Sequence, residues 1–288
     1  MIRGALALIP LGWLVASCTV VLDPGEDQCE TDADCTERGF TDATCANNLC
    51  IEGSVADPVW GCLGDVPDPQ PDPSKHVEVT LQFTYAIDGN PVPTSTVIDV
   101  CDKLDIECMG TNPDFPKGLH PDDQGFAGAN VPEGFDGFIR ITHSDLMPSR
   151  VYVGRPILEQ PKYNVVRLLR PAEFDLLTSL ADVTVDPERG TAILVALDCS
   201  GDRASGVRFE CPSADTESQE FYLINDSPVS PPDVTSTDAD GFGGFVNLPL
   251  GAAVAKTFRA EDDAYIGQSS FQVLENTISY VLVSPTPP

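Results

Sequence analysis

Basic residues are scarce: the 288-residue chain carries 16 Lys and Arg against 45 Asp and Glu, a formal net charge of −29. Such a chain repels phosphate backbones, so the electrostatic footprint of a DNA or RNA binder is missing. Histidine is scarcer still. His76, His120 and His143 form no helical i, i+4 pair and none sits beside a cysteine ligand. Zinc chemistry and Ser-His-Asp catalysis therefore lack their usual groups. No GxSxG, HExxH, Walker or dinucleotide fingerprint occurs. Among 45 acids no pair stands out as a glycosidase dyad. Aromatics make up 7% of the chain, and with Trp13 inside an apolar N-terminal run only Trp60 remains for a sugar platform. Its place beside Cys62 predicts a ring packed against disulfides. We expect no enzyme and no catalytic residue.

Hydrophobic residues, at 42%, are plentiful enough to build cores despite the charge. The length has room for about two domains of roughly 100–200 residues each. The one long apolar run, Ala5 to Ala16, follows Arg3 and is too short for a stable membrane span, which is the pattern of a secretory signal. It ends in "LVASC", with Val15, Ala16 and Ser17 preceding Cys18. This resembles the bacterial lipobox, which implies cleavage after residue 17 and lipid attachment at Cys18. Acyl chains bury about 0.8 kcal/mol per methylene, enough for two or three of them to anchor the protein. Thr19 in place of an aspartate implies, by the same resemblance, delivery to the outer membrane.

Export exposes the other nine cysteines to oxidising conditions, and they read as a disulfide framework. Cys29, Cys35, Cys45, Cys50 and Cys62 crowd the N-terminal stretch. Cys101 with Cys108, and Cys199 with Cys211, are expected as local pairs. The gaps among the first four do not match the paired short knuckles of a zinc site. Nine is odd, and Cys62 in "VWGCLG" is the expected remainder. Connectivity among the others stays open.

Residues 64–75 alternate proline with acid and predict an extended spacer. From 77 to 87, "VEVTLQFTYAI" alternates apolar and polar, and "DGN" supplies a turn. Further short apolar runs follow, separated by Gly, Pro, Asp and Asn, which predicts a sandwich or barrel. Only "PAEFDLLTSLADV", with Pro171 at a first helical position and Phe174, Leu177 and Leu180 at steps of three, predicts a helix.

The chain repeats itself. "DDQGFAGANVPEG" at 122–134 and "DADGFGGFVNLPLG" at 238–251 both run Asp, Gly, Phe, then Asn, an aliphatic residue, Pro and Gly. Upstream, "VIDVCDKLDIEC" and "LVALDCSGDRASGVRFEC" match in the order of Asp and Glu-Cys. Repetition at this length predicts tandem domains and not a solenoid. The pattern resembles the carboxypeptidase regulatory-like and transthyretin-like β-sandwich family through Thr237, Asp238, Gly241, Phe245, Leu248, Pro249 and Gly251. In the first copy Asp122, Gly125, Val131, Pro132 and Gly134 match, while Pro121 replaces the threonine. The layout as a whole resembles surface lipoproteins of myxobacteria and their relatives, a likeness that brings no activity with it.

The Asp-Gly stretch has two readings. It is a hairpin turn, since glycine takes positive φ and aspartate bonds its own backbone, or an accessory calcium site held by Asp238 and Asp240. In an EF-hand alignment Ser236 would lead and Asn247 would stand where the bidentate glutamate belongs. The turn is the expectation.

Together these features predict an all-β chain of two tandem Ig-like or prealbumin-like sandwiches, 76–172 and 173–288, after a signal at 1–17, a cysteine-rich module at 18–63 and the spacer. No cofactor is expected apart from that calcium alternative. The expected role is non-catalytic: a lipid-anchored envelope protein, outer-membrane bound, facing periplasm or exterior, that binds a polysaccharide or an envelope protein and no nucleic acid. The alternative role is an accessory subunit of a secreted hydrolase or a transport complex.

Overall fold

The computed structural model describes residues 29–40, 43–46, 48–52 and 59–287. Cys18, the lipobox and the apolar run before it lie outside the described residues. No helix among the described residues is long and apolar enough to cross a membrane. The chain divides into two compact units, Met1–Ala56 and Asp57–Pro288.

The first unit holds helix α1 (Asp32–Glu37) and an antiparallel hairpin of β1 (Ala43–Ala46) and β2 (Leu49–Glu52). Asp34 explains the helix start: its Oδ2 accepts the amides of Glu30 (2.9 Å) and Thr31 (2.8 Å), satisfying donors that a helix N-terminus leaves open. Asp32 then ties helix to hairpin by accepting the Cys45 amide at 2.7 Å. Disulfides Cys29–Cys45 and Cys35–Cys50 replace the core that so few residues cannot build. The sulfurs of Cys29, Cys35 and Cys50 cluster because the two bridges lie side by side, and all three are bonded.

The second unit is built of strands, with one helix. Its first half supplies β3 (His76–Tyr85), β4 (Val97–Cys101), β5 (Phe126–Pro132), β6 (Phe138–Thr142), β7 (Ser149–Tyr152) and β8 (Val165–Leu168). Helix α2 (Pro171–Leu180) follows, and then β9 (Gly190–Ala196), β10 (Val207–Glu210), β11 (Gln219–Ile224), β12 (Ser227–Val229), β13 (Phe242–Leu248), β14 (Gly251–Arg259), β15 (Tyr265–Val273) and β16 (Ile278–Val283). The all-β class expected from the sequence is what the chain forms.

The repeat is visible in the wiring. β3 lies between antiparallel β5 and parallel β8, and β9 lies between antiparallel β13 and parallel β16. The antiparallel trio β4-β6-β7 corresponds to β10-β14-β15. The expected boundary near residue 172 does not separate the halves, however. β16 pairs in parallel with β7 as well as with β9, and fuses both halves into one sheet of order β12-β11-β13-β9-β16-β7-β6-β4. Sheet β5-β3-β8 packs on one face of it and β10-β14-β15 on the other, giving one core on each side.

Period-two alternation divides the cores. On β9, Ile193 and Val195 enter the first core while Ala192, Leu194 and Ala196 enter the second. This is why "TAILVAL" reads as a continuous apolar run: both faces of the strand are covered. On β6, Ile139 and Ile141 face one core and Phe138 the other. On β16, Ile278 and Tyr280 alternate with Val281 and Val283.

Two expectations are corrected. Residues 64–75 do not stand free as a spacer; they lie along the first sandwich. The Pro67 carbonyl accepts from Arg155 Nη2 (3.2 Å), the Lys75 carbonyl accepts the Glu133 amide (2.9 Å), and Val66 is buried. The proline rings offer apolar surface and their carbonyls remain free to accept, so the segment packs. Cys62 is no remainder. It bonds Cys199 and so belongs with the second unit, which leaves Cys211, proposed above as the partner of Cys199, as a buried free thiol. Cys101–Cys108 forms as expected.

Candidate functional site

The three histidines are dispersed. His76 approaches Asp114 at 3.8 Å, and His120 Nδ1 lies 2.9 Å from the Thr96 carbonyl. His143 Nε2 lies 3.0 Å from Ser95 Oγ, a pair that sequence spacing could not reveal. Its other nitrogen, Nδ1, accepts the Asp145 amide at 3.1 Å. The imidazole tautomer sets the direction of the Ser95 contact, and the second ring nitrogen meets a backbone amide where a triad has a carboxylate.

The two Asp-Gly stretches adopt the same turn. Asp122 Oδ1 accepts the amides of Gln124 and Phe126 at 2.9 Å, and the Gly125 amide returns to the Asp122 carbonyl. Asp238 Oδ1 accepts the Asp240 amide at 2.9 Å, and the Gly241 amide returns to the Asp238 carbonyl. Gly125 and Gly241 have φ of +84° and +71°, and a Cβ there would meet Phe83 O at 2.5 Å and Ala196 O at 2.9 Å. The second oxygen of Asp238 accepts the Asn225 amide at 2.8 Å, and Asp240 pairs with Arg203 at 2.5 Å. Asn247 staples the chain before β9, accepting the Asp186 amide (2.9 Å) and donating to Thr184 O (2.8 Å). Asp238, Asp240 and Asn247 thus each have a structural task of their own.

The loop after β4 is the outstanding surface feature. Cys101 and Cys108 close it, and it turns Leu104 (90% exposed) and Met109 (75%) to solvent, with Ile106 partly exposed beside them. Asp105 rigidifies it, accepting the amides of Met109 (3.0 Å) and Gly110 (2.6 Å), and these bonds hold its carboxyl below the usual range. Arg140 reaches the Glu107 carbonyl (2.9 Å) while paired with Asp99 (2.7 Å), and Lys117 Nζ reaches the Cys108 carbonyl (3.3 Å). Large apolar side chains held out by a stiff frame are a contact surface in waiting. Sequence reading expected the Cys101–Cys108 pair but made no reading of the exposure of Leu104, Ile106 and Met109, because apolar residues spaced between acids give no sign of what covers them.

A second apolar feature lies under α2, a groove of about 270 Å³ between the helix and the central sheet. Phe174, Leu177, Ile193, Phe221, Leu223 and Phe242 line it. Leu180 is 62% exposed on the rim, and Leu176 is 51% exposed. Tyr280 forms part of the wall; burial pushes its phenol up, and no hydrogen bond of normal geometry reaches its hydroxyl, although the Leu169 amide lies near. At the mouth, Arg167 pairs with Asp226 at 3.0 Å through Nη1. Arg170 caps the helix, its guanidinium bonded to Glu173 and, at 2.9 Å, to Asp88.

No family model matches the chain, and no curated protein matches it. Among solved structures, the chain is similar to the shaft pilin SpaA from Lactobacillus rhamnosus GG (10% identity over 74% of this chain and 99% of that one, TM-score 0.22). It is likewise similar to the major pilin subunit BcpA of Bacillus cereus (12%, 74% and 70%, TM-score 0.22). It spans about a third (34%) of the Bacillus anthracis TIE protein (13% identity over 74% of this chain, TM-score 0.22). At such TM-scores the superpositions share little of the arrangement, and the fold stands on its own strands.

Proposed function

We propose that this chain is an exported, lipid-anchored envelope protein with a structural and binding role and no catalytic one. The observation that carries the reading is the disulfide-framed loop, which holds Leu104 and Met109 in water at the edge of a stiff double sandwich. Exposing large apolar groups costs solubility, and a rigid frame that maintains the exposure fits a recognition element. Acyl chains on Cys18 hold the protein to the outer membrane. The dispersed histidines, and the backbone amide that stands behind His143 in place of a carboxylate, support a non-catalytic role.

Two variants test the two halves of this reading. Cys18→Ala should move the protein from the membrane fraction to the soluble exported pool; retention in the membrane sinks the anchor. The soluble chain should bind purified cell envelopes, and Leu104→Asp with Met109→Asp should abolish that binding at an unchanged melting temperature. Equal binding by the loop variant overturns the loop's role.

A further inference from the structure

Resting on that reading of the loop, we propose that its partner is a second copy of this chain. Leu104 and Met109 of one copy seat in the α2 groove of the next, head to tail.

The two surfaces are complementary in shape, and Arg167 offers one charge contact. The loop is convex and prefolded, so docking immobilises little that is not already fixed. The groove is concave, apolar and open, and its 270 Å³ is large against the roughly 10–15 Å³ that one water needs. Leu176 and Leu180 extend its apolar rim. The loop's flanks carry Asp102, Asp105 and Glu107, and Arg167 lines the groove, while Arg170 at the helix cap is already held by Glu173 and Asp88. Asp226, the partner of Arg167, is largely exposed, so that pair is weakly held and can exchange for an incoming carboxylate.

Position dictates the kind of assembly. The loop follows β4, the strand at one edge of the eight-stranded sheet, and packs with the core on one face of it. The groove draws on β11, β12 and β13 toward the opposite edge, on the other face. From β13 to β4 is five strand spacings, about 24 Å. A contact between two different patches so placed is heterologous, and each addition leaves a free loop at one end and a free groove at the other. Copies of charge −29 repel, so association strengthens as salt rises.

The test is sedimentation of the full exported chain carrying Cys18→Ala. The parent should grow beyond dimers with concentration, and more so at high salt. Leu104→Asp with Met109→Asp removes the loop contact. Leu177→Trp fills the groove, and Leu180→Asp alters only its exposed rim, so one groove variant remains informative if the other misfolds. Each should weaken association by at least about tenfold. The decisive sample mixes a loop variant with a groove variant: one intact loop and one intact groove remain, so species of two copies should form and nothing larger. A parent that stays monomeric, a mixture that stays monomeric, or groove variants that still polymerise overturns the proposal. So does a groove that binds dodecyl detergent while the parent shows no association. Envelope binding that Leu177→Trp leaves intact overturns this partner while the loop's recognition role stands.

Discussion

Removing the Cys62–Cys199 disulfide should cost far more than removing Cys101–Cys108. A cross-link stabilises chiefly by restricting the unfolded chain, and the effect grows with the logarithm of the segment closed. Cys62–Cys199 spans 137 residues, which corresponds to roughly 5 kcal/mol; Cys101–Cys108 spans 7, which corresponds to roughly 2 kcal/mol. The larger figure rivals the whole stability of many domains, about 5–15 kcal/mol. The bridge also pins local structure, since the Cys199 amide donates to Val59 O (3.1 Å) and Trp60 is buried beside it. The assay is urea unfolding of Cys62→Ser/Cys199→Ser and Cys101→Ser/Cys108→Ser, followed by circular dichroism and by tryptophan fluorescence. The first pair should lose several kcal/mol and the second distinctly less. If fluorescence changes well before circular dichroism, only the segment around Trp60 has detached. A loss below about 1 kcal/mol for the first pair, or a larger loss for the second, refutes the reasoning.

Further outcomes follow from the same geometry. Gly125→Ala and Gly241→Ala should each destabilise by roughly 1–3 kcal/mol in thermal melts, because both residues sit at positive φ with a backbone oxygen where a Cβ would go. Melts in millimolar calcium and in chelator should coincide within about a degree, since ligand linkage requires a native site and Asp238 and Asp240 are engaged by amides and Arg203. Burial pushes the Glu220 carboxyl up, against the pull of the Tyr222 hydroxyl that donates to it at 2.6 Å. A raised folded pKa gives stability that is present below the unfolded pKa and is lost as pH rises through the folded one. Glu220→Gln should therefore stabilise at pH 7 and give no gain near pH 4, read by denaturation at the two values. In the Cys18→Ala chain one thiol, Cys211, should react with a thiol reagent only after denaturant is added.

Local chemistry was legible in the residues and long-range pairing was not. The alternation at 77–87 marks β3, the unbroken apolar run marks the doubly covered β9, and the Asp-Gly repeats mark equivalent turns because aspartate and glycine each have a single backbone task there. The cysteines misled because proximity in sequence favoured Cys199 with Cys211. The fold aligns "VIDVC" of β4 with "VRFEC" of β10, so Cys211 corresponds to Cys101. Cys101 has a partner in its own loop, whereas Cys199 is drawn to Cys62. The fusion of the halves left no sequence mark because it runs through backbone hydrogen bonds between β7 and β16, which any side chains of the right facing pattern accept. The loop and groove escaped for a related reason: a leucine's exposure is decided by what covers it, and spacing does not encode cover.

The parallel seam between β7 and β16 has a consequence for how the molecule comes into being. β7 ends at Tyr152 and its neighbour begins at Ile278, so the first half emerges from the ribosome with a raw strand edge and no mate for it. The edge stays open to mispairing until the last described strand arrives and docks between β7 and β9. Closure at such sequence distance is slow. It also makes completion all-or-none: a chain cut short before residue 278 lacks the shared member of both halves, and quality control would meet two defective sandwiches where the cut removed a single strand.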